Sequence, residues 1–122
     1  MNENILIVED DPLVREVLQL LLTDAHYNVT SCSTGKNIFE TVSKSRPDLI
    51  LLDVCLGEVD GRDLCKILKS HQDTKNIPII IVSGNYNAHN IVLDQGANDA
   101  LLKPFTEPEL LSRIQLQLLK AG

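Results

Sequence analysis

Five side chains able to do chemistry stand directly after short apolar runs. Glu9 and Asp10 follow Ile5-Leu6-Ile7-Val8, Asp53 follows Leu49-Ile50-Leu51-Leu52, Ser83 follows Ile79-Ile80-Ile81-Val82, and Lys103 follows Leu101-Leu102. Brought together, three carboxylates and one ammonium leave about two negative charges in excess, and like charges raise each other's pKa unless a cation joins them. A hard divalent ion such as Mg²⁺ takes carboxylate, carbonyl and water oxygens, and would bring such a site near neutrality. Lys103 is a point charge suited to a phosphate or carboxylate oxygen, and Ser83 offers a hydroxyl donor to the same group. Mg²⁺, a lysine and a hydroxyl around a carboxylate describe a site for an aspartyl-phosphate.

The elements that must position these groups are legible around them. Continuous apolar runs of this length suit parallel strands buried on both faces. Two weaker strands are predicted at about 28–32 and 99–102, and helical patterns at 12–26, 35–45, 61–71, 86–95 and 107–120. Asp11 is placed to cap the first helix, with Pro12 at its first position. The order βαβαβαβαβα predicts a parallel sheet with helices on both faces. Open sheets of this kind bind ligands beyond the carboxyl ends of their strands, at a topological switch point. Four of the five strands thus deliver their reactive groups to one edge.

Composition narrows the function classes. The chain has 122 residues with a formal net charge of −6 and a pI near 4.9. That balance disfavours a nucleic-acid or membrane-surface protein, whose footprint is basic. No apolar run approaches the roughly 18 residues of a membrane span, and the first residues lack a signal-peptide pattern. Cys32, Cys55 and Cys65 are an odd number at wide spacing with no CxxC pair, and read as reduced thiols of a cytosolic protein. Cys65 falls on an apolar helical stripe and is expected in the core. His26, His71 and His89 are expected to be solvated, and Asp60 before Gly61 to cap a turn.

Five motifs, in order, resemble the receiver domain of two-component response regulators over about residues 4–120. They are Ile5-Leu6-Ile7-Val8-Glu9-Asp10-Asp11-Pro12, Asp48-Leu49-Ile50-Leu51-Leu52-Asp53-Val54, Val59-Asp60-Gly61, Pro78-Ile79-Ile80-Ile81-Val82-Ser83-Gly84 and Lys103-Pro104-Phe105. The resemblance implies a single flavodoxin-like α/β domain over 1–122 with strand order 2-1-3-4-5, and no output domain. It implies that Asp53 is the phospho-acceptor, taking phosphoryl from a sensor histidine kinase or phosphotransfer protein in a Mg²⁺-dependent reaction. Asp10 would hold the metal directly and Glu9 through water, with Asp53 and the backbone carbonyl of Cys55 completing the set. Ser83 and Lys103 would meet the phosphoryl group, and Lys103-Pro104 would be a cis peptide. The implied protein is a cytoplasmic signalling switch that catalyses only its own phosphotransfer and dephosphorylation. It would bind neither nucleic acid nor membrane directly, and would act on an unidentified output partner. A homodimer through the face of the fourth helix, fifth strand and fifth helix is a further implication.

Two positions depart from the family pattern. Ala100 stands where a Tyr or Phe usually turns inward on phosphorylation, and Gly57 where a Pro is common. Neither removes a reacting group, but the usual aromatic report is in doubt, and the loop from Gly84 through Asn87 is expected to carry it. Three other readings compete. A phosphohydrolase of the haloacid dehalogenase type would need an Asp where Cys55 stands. A flavodoxin would need a Ser/Thr/Gly-rich first loop in place of Glu9-Asp10-Asp11. A docking module that is never phosphorylated would have no need of all five reacting groups. On the last helix, Leu110, Leu111, Ile114 and Leu118 share one arc and are expected in the core, leaving Leu116 and Leu119 outside it.

Overall fold

A computed structural model describes residues 2–56, 59–84, 90 and 96–121. In chain order the elements are β1 (Asn4–Val8), α1 (Pro12–Asp24), β2 (Asn28–Cys32), α2 (Ile38–Ser45), β3 (Leu49–Asp53), a two-stranded ribbon of β4 (Cys55–Leu56) and β5 (Val59–Asp60), α3 (Gly61–Ser70), β6 (Ile79–Ser83), β7 (Asp99–Leu102) and a C-terminal helix (Glu107–Ala121). The main sheet runs β2-β1-β3-β6-β7, parallel throughout. With the ribbon set aside, this is the expected order 2-1-3-4-5. The helix expected at 86–95 falls largely outside the described residues.

Alternation along the central strands sorts the core into two layers. Leu6, Val8, Ile50, Leu52, Ile79 and Ile81 point to α2 and α3, where Val42, Leu64, Cys65 and Leu68 meet them. Ile5, Ile7, Leu49, Leu51, Ile80, Val82 and Leu101 point to α1 and the C-terminal helix, against Leu18, Leu22, Leu110 and Ile114. Both faces of β1, β3 and β6 are covered, which is why their sequences are unbroken apolar runs rather than alternating ones. Truncating one of these fully buried side chains, such as Leu22→Ala, costs about 2–5 kcal/mol.

The local starts and stops differ in places from the sequence expectation. Asp11 caps α1 as expected, accepting from Leu13 N at 2.9 Å and Val14 N at 3.3 Å. The first helix ends at Asp24, two residues early, and His26 takes φ 73° to turn the chain into β2. The second begins at Ile38 instead of 35, because Thr34 Oγ1 ties down Lys36 N at 2.8 Å and Asn37 adopts φ 58°. The ribbon β4-β5 was not anticipated; its strands are too short for periodicity to register.

On the C-terminal helix, Leu110 and Ile114 are buried, Leu111 and Leu118 pack against that layer, and Leu116 and Leu119 are exposed, as the wheel predicts. Gln117 shares the buried stripe, its Nε2 donating to the carbonyl of Asn98 at 3.4 Å. Among the described residues, no helix is long and apolar enough to cross a membrane.

Candidate functional site

The register of the parallel strands assembles the site. Val8 pairs with Leu52, so Glu9 and Asp53, each the next residue, come level at the carboxyl ends of β1 and β3. Strand alternation places Glu9, Asp53 and Lys103 on the same side as Ile7, Leu51 and Leu101, the layer covered by α1 and the C-terminal helix. Lys103 Nζ reaches both acids, at 3.2 Å from Glu9 Oε1 and 3.3 Å from Asp53 Oδ2. Asp10, one residue on and exposed, completes the cluster. One carboxylate oxygen from each of Glu9, Asp10 and Asp53 lies within 4.8 Å of the others.

Burial sets the electrostatics. Glu9 is only 2% exposed, and loss of water pushes its carboxyl up to about 7. A hydrogen bond from its acid form to Asp53 and the Asp53 charge push the same way, against the pull of Lys103. Burial lowers the pKa of Lys103, but the charges of Asp53 and Glu9 outweigh it and hold the ammonium above its ordinary value. One lysine is therefore too little positive charge for the acids around it, and a further proton or cation is favoured. The donor set is all oxygen, with three carboxylates converging on one point. That fits a hard divalent ion such as Mg²⁺.

Neighbouring backbone fixes the remaining expected residues. Ser83 ends β6, nearly fully buried, and its carbonyl accepts the Lys103 N–H at 2.7 Å, which ties the hydroxyl-bearing and ammonium-bearing strand ends together. The Lys103-Pro104 peptide is cis, as expected. Cys55 lies in β4, where it pairs with Asp60. Asp60 accepts from Arg62 N at 2.9 Å and grips the Arg62 guanidinium, so its role is the cap that was expected. Gly61 donates its N–H to Val54 O at 2.8 Å, and a Cβ there would run into the Asp53 carbonyl oxygen and lie 2.8 Å from Val54 Cα. Only glycine lets α3 start directly behind the Asp53 main chain. Ala100 packs, half-buried, against the layer under α2 and α3. Gly57 and residues 85–87 lie outside the described residues.

One participant escaped the sequence reading. Arg15, on α1, extends its guanidinium back over the acidic turn and donates from Nη1 to the carbonyl of Glu9 at 2.9 Å. Its only sequence signal is a cation six residues after Glu9, a spacing without meaning until the turn between strand and helix is known.

The family model described as the response regulator receiver domain matches residues 5–115. The chain belongs to this family. This receiver domain is 38% identical over 118 residues to the transcriptional regulatory protein KdpE of Staphylococcus aureus, a match covering 95% of the chain and 50% of KdpE. It thus spans about half the length of the curated relatives it matches. Its backbone superposes with a TM-score of 0.86 on the receiver domain of the Pseudomonas aeruginosa sensor histidine kinase PA1611, at 29% identity and with 97% and 98% of the two chains covered. That structure has a magnesium ion coordinated in its active-site cleft. The BeF3-activated N-terminal receiver domain of Klebsiella pneumoniae RstA is similar too, with a TM-score of 0.84, 32% identity and coverage of 94% and 97%. Receiver domains bind Mg²⁺ at an acidic site, and in this chain Glu9, Asp10 and Asp53 form an acidic cluster whose geometry could hold a metal ion.

Proposed function

We propose that this receiver domain, comprising residues 1–122 with a core of about 4–120, is a switch operated by phosphorylation of Asp53. The observation that carries the reading is the convergence of Glu9, Asp10 and Lys103 on that one carboxylate at the end of the central strand. An Asp53 oxygen attacks the phosphorus of a phosphohistidine on a sensor histidine kinase or phosphotransfer protein. The P–N bond breaks as the P–O bond forms, and the imidazole leaves with the electron pair and takes up a proton. Mg²⁺, when bound, neutralises charge on the phosphoryl oxygens. Asp10 and Asp53 would hold it with their carboxylates, Glu9 would act through water, and the carbonyl of Cys55 would complete the oxygen set. Lys103, just past the end of β7, and the Ser83 hydroxyl at the end of β6 contact the phosphoryl oxygens.

The same groups support hydrolysis of the acyl phosphate. The added charge reports through the surface beyond β6 and β7, toward an output domain or a second copy in the cytoplasm. Ala100 has no ring to swing, so the report relies on movement of the backbone after Ser83.

Incubation with acetyl phosphate and Mg²⁺ tests the reading by intact-mass measurement. One phosphoryl group should be taken up by the wild type and none by Asp53→Asn. Unchanged uptake in that variant would exclude Asp53 as the acceptor.

A further inference from the structure

We infer that Arg15 is a positioning residue for the metal-binding turn: it locks the main chain of Glu9, and thereby sets where Asp10 presents its carboxylate. The inference rests on the reading of Glu9, Asp10 and Asp53 as the Mg²⁺ ligands. The peptide groups of Glu9 are held from two sides. Its N–H donates to the carbonyl of Cys32 on β2 at 3.0 Å, and its carbonyl accepts from Arg15 Nη1 at 2.9 Å. The guanidinium lies at the end of β2 as well, close enough for its charge to pull down the Cys32 thiol, although burial wins and leaves that thiol raised.

β1 stops pairing with β3 at Val8, and its last bond to β2 is from the Glu9 N–H, so beyond Glu9 the ladder no longer fixes the chain. Asp10 follows Glu9 without regular structure of its own, is exposed, and must still bring its carboxylate to within 4.8 Å of two buried ones. The bonds holding the turn on its helical side come from Asp11, which caps Leu13 and Val14 and accepts Arg15 N at 2.9 Å. Glu9 Oε2 adds a long contact of 3.4 Å from Asp11 N. The Arg15 guanidinium is the charged donor that connects the helix back to the residue before Asp10, and charge-assisted bonds are the strong ones. Half-burial between the two strand ends limits its other conformations.

Charge and position make opposite demands, which gives the experiment a sign. A cation beside an Mg²⁺ site repels the metal, so a bystander Arg15 would weaken binding and its removal would tighten it. A positioning Arg15 strengthens binding, because a displaced ligand carboxylate is lost to the ion. Groups that orient metal ligands typically contribute roughly 10-fold or more to affinity.

The test is calorimetric titration of Mg²⁺ into the full chain as wild type, Arg15→Met and Arg15→Lys, with thermal unfolding recorded for each. Arg15→Met should bind Mg²⁺ roughly 10-fold more weakly, and Arg15→Lys, which keeps a cationic donor in reach, within about threefold of wild type. The half-saturating Mg²⁺ for phosphorylation by acetyl phosphate should rise by the same factor, while the rate at saturating Mg²⁺ changes by less than about twofold. A residue needed only for folding would lower the unfolding temperature without this split. Equal or tighter Mg²⁺ binding in Arg15→Met overturns the inference, as does an Arg15→Lys variant as weak as Arg15→Met. If Arg15→Met does not fold, Arg15→Gln takes its place with the same expected weakening, and equal or tighter binding there is equally fatal. A wild type that binds no Mg²⁺ would overturn the metal reading, and this inference with it. Wild-type binding with unaffected variants overturns the inference alone.

Discussion

Lys103 Nζ stands 3.2 Å from Glu9 Oε1, an ion pair that joins the ends of β7 and β1 across 94 positions of sequence. The same nitrogen is 3.3 Å from Asp53 Oδ2, so a single ammonium is shared by two buried carboxylates of adjacent strands. Deep placement of this kind makes each member expensive to remove, since the partner is left charged and uncompensated.

Lys103→Met should therefore destabilise the metal-free protein by about 1–3 kcal/mol, discounted from a fully buried pair because the ammonium retains some contact with water. Saturating Mg²⁺ should recover part of that loss by taking over the neutralisation. Urea unfolding with and without Mg²⁺ measures both. A variant as stable as wild type without metal would contradict the ion-pair account.

Stability should fall with rising pH across the range set by Glu9. Its carboxyl titrates at about 7 in the folded chain against 4.5 as an ordinary glutamate, so the native state binds the extra proton between those values. The contribution is fully present below 4.5 and is lost as the pH rises through 7, on the order of 3 kcal/mol in total. Glu9→Gln should abolish this slope, and Mg²⁺ should flatten it by favouring the ionised form. Urea midpoints at several pH values, with Glu9→Gln as the reference, check the sign.

Asp10 and Asp11 are adjacent but should behave differently. Asp10→Ala removes a carboxylate from the cluster and should weaken Mg²⁺ binding by at least about 10-fold, the scale of losing a group that supports a metal. Asp11→Ala removes the cap of α1 and should cost about 1 kcal/mol of stability with little change in metal affinity. Calorimetry and urea unfolding on both variants separate the two roles, and equal Mg²⁺ affinity in wild type and Asp10→Ala would refute the assignment.

Gly61→Ala should be among the costliest single-methyl changes in this chain. The added Cβ meets the carbonyl of Asp53 and the Cα of Val54, both rigid backbone, so α3 or the end of β3 must shift. A loss of about 1–3 kcal/mol or more is expected, together with slower phosphorylation by acetyl phosphate at unchanged Mg²⁺ concentration. Gly84→Ala is the control for stability, because among the described residues a Cβ there has nothing within 4 Å.

The order of the main-sheet strands and of the described helices, the two buried faces of the central strands, and the gathering of Glu9, Asp10, Asp53 and Lys103 at one edge were all legible in the sequence. Each is written in local patterns. Apolar runs mark doubly covered strands, and polar residues that end such runs must lie at their carboxyl ends. The caps at Asp11 and Asp60 are equally local, for a side chain bonding backbone two or three residues away needs no knowledge of the fold.

Tertiary structure decided the rest. The raised pKa of Glu9 depends on burial and on Asp53 from another strand, neither of which its neighbours in sequence announce. The start of α2 was decided by Thr34 and Asn37 against the helical pattern around them, and Gln117 was drawn into an apolar stripe because the backbone of Asn98 lay there to bond it. Arg15 shows the same cause most plainly. It reads as an ordinary surface cation of an amphipathic helix until the turn folds α1 back onto β1 and sets its guanidinium on the carbonyl of Glu9. Periodicity carries which face a residue is on, whereas a contact between strand ends exists only once the chain has closed the distance.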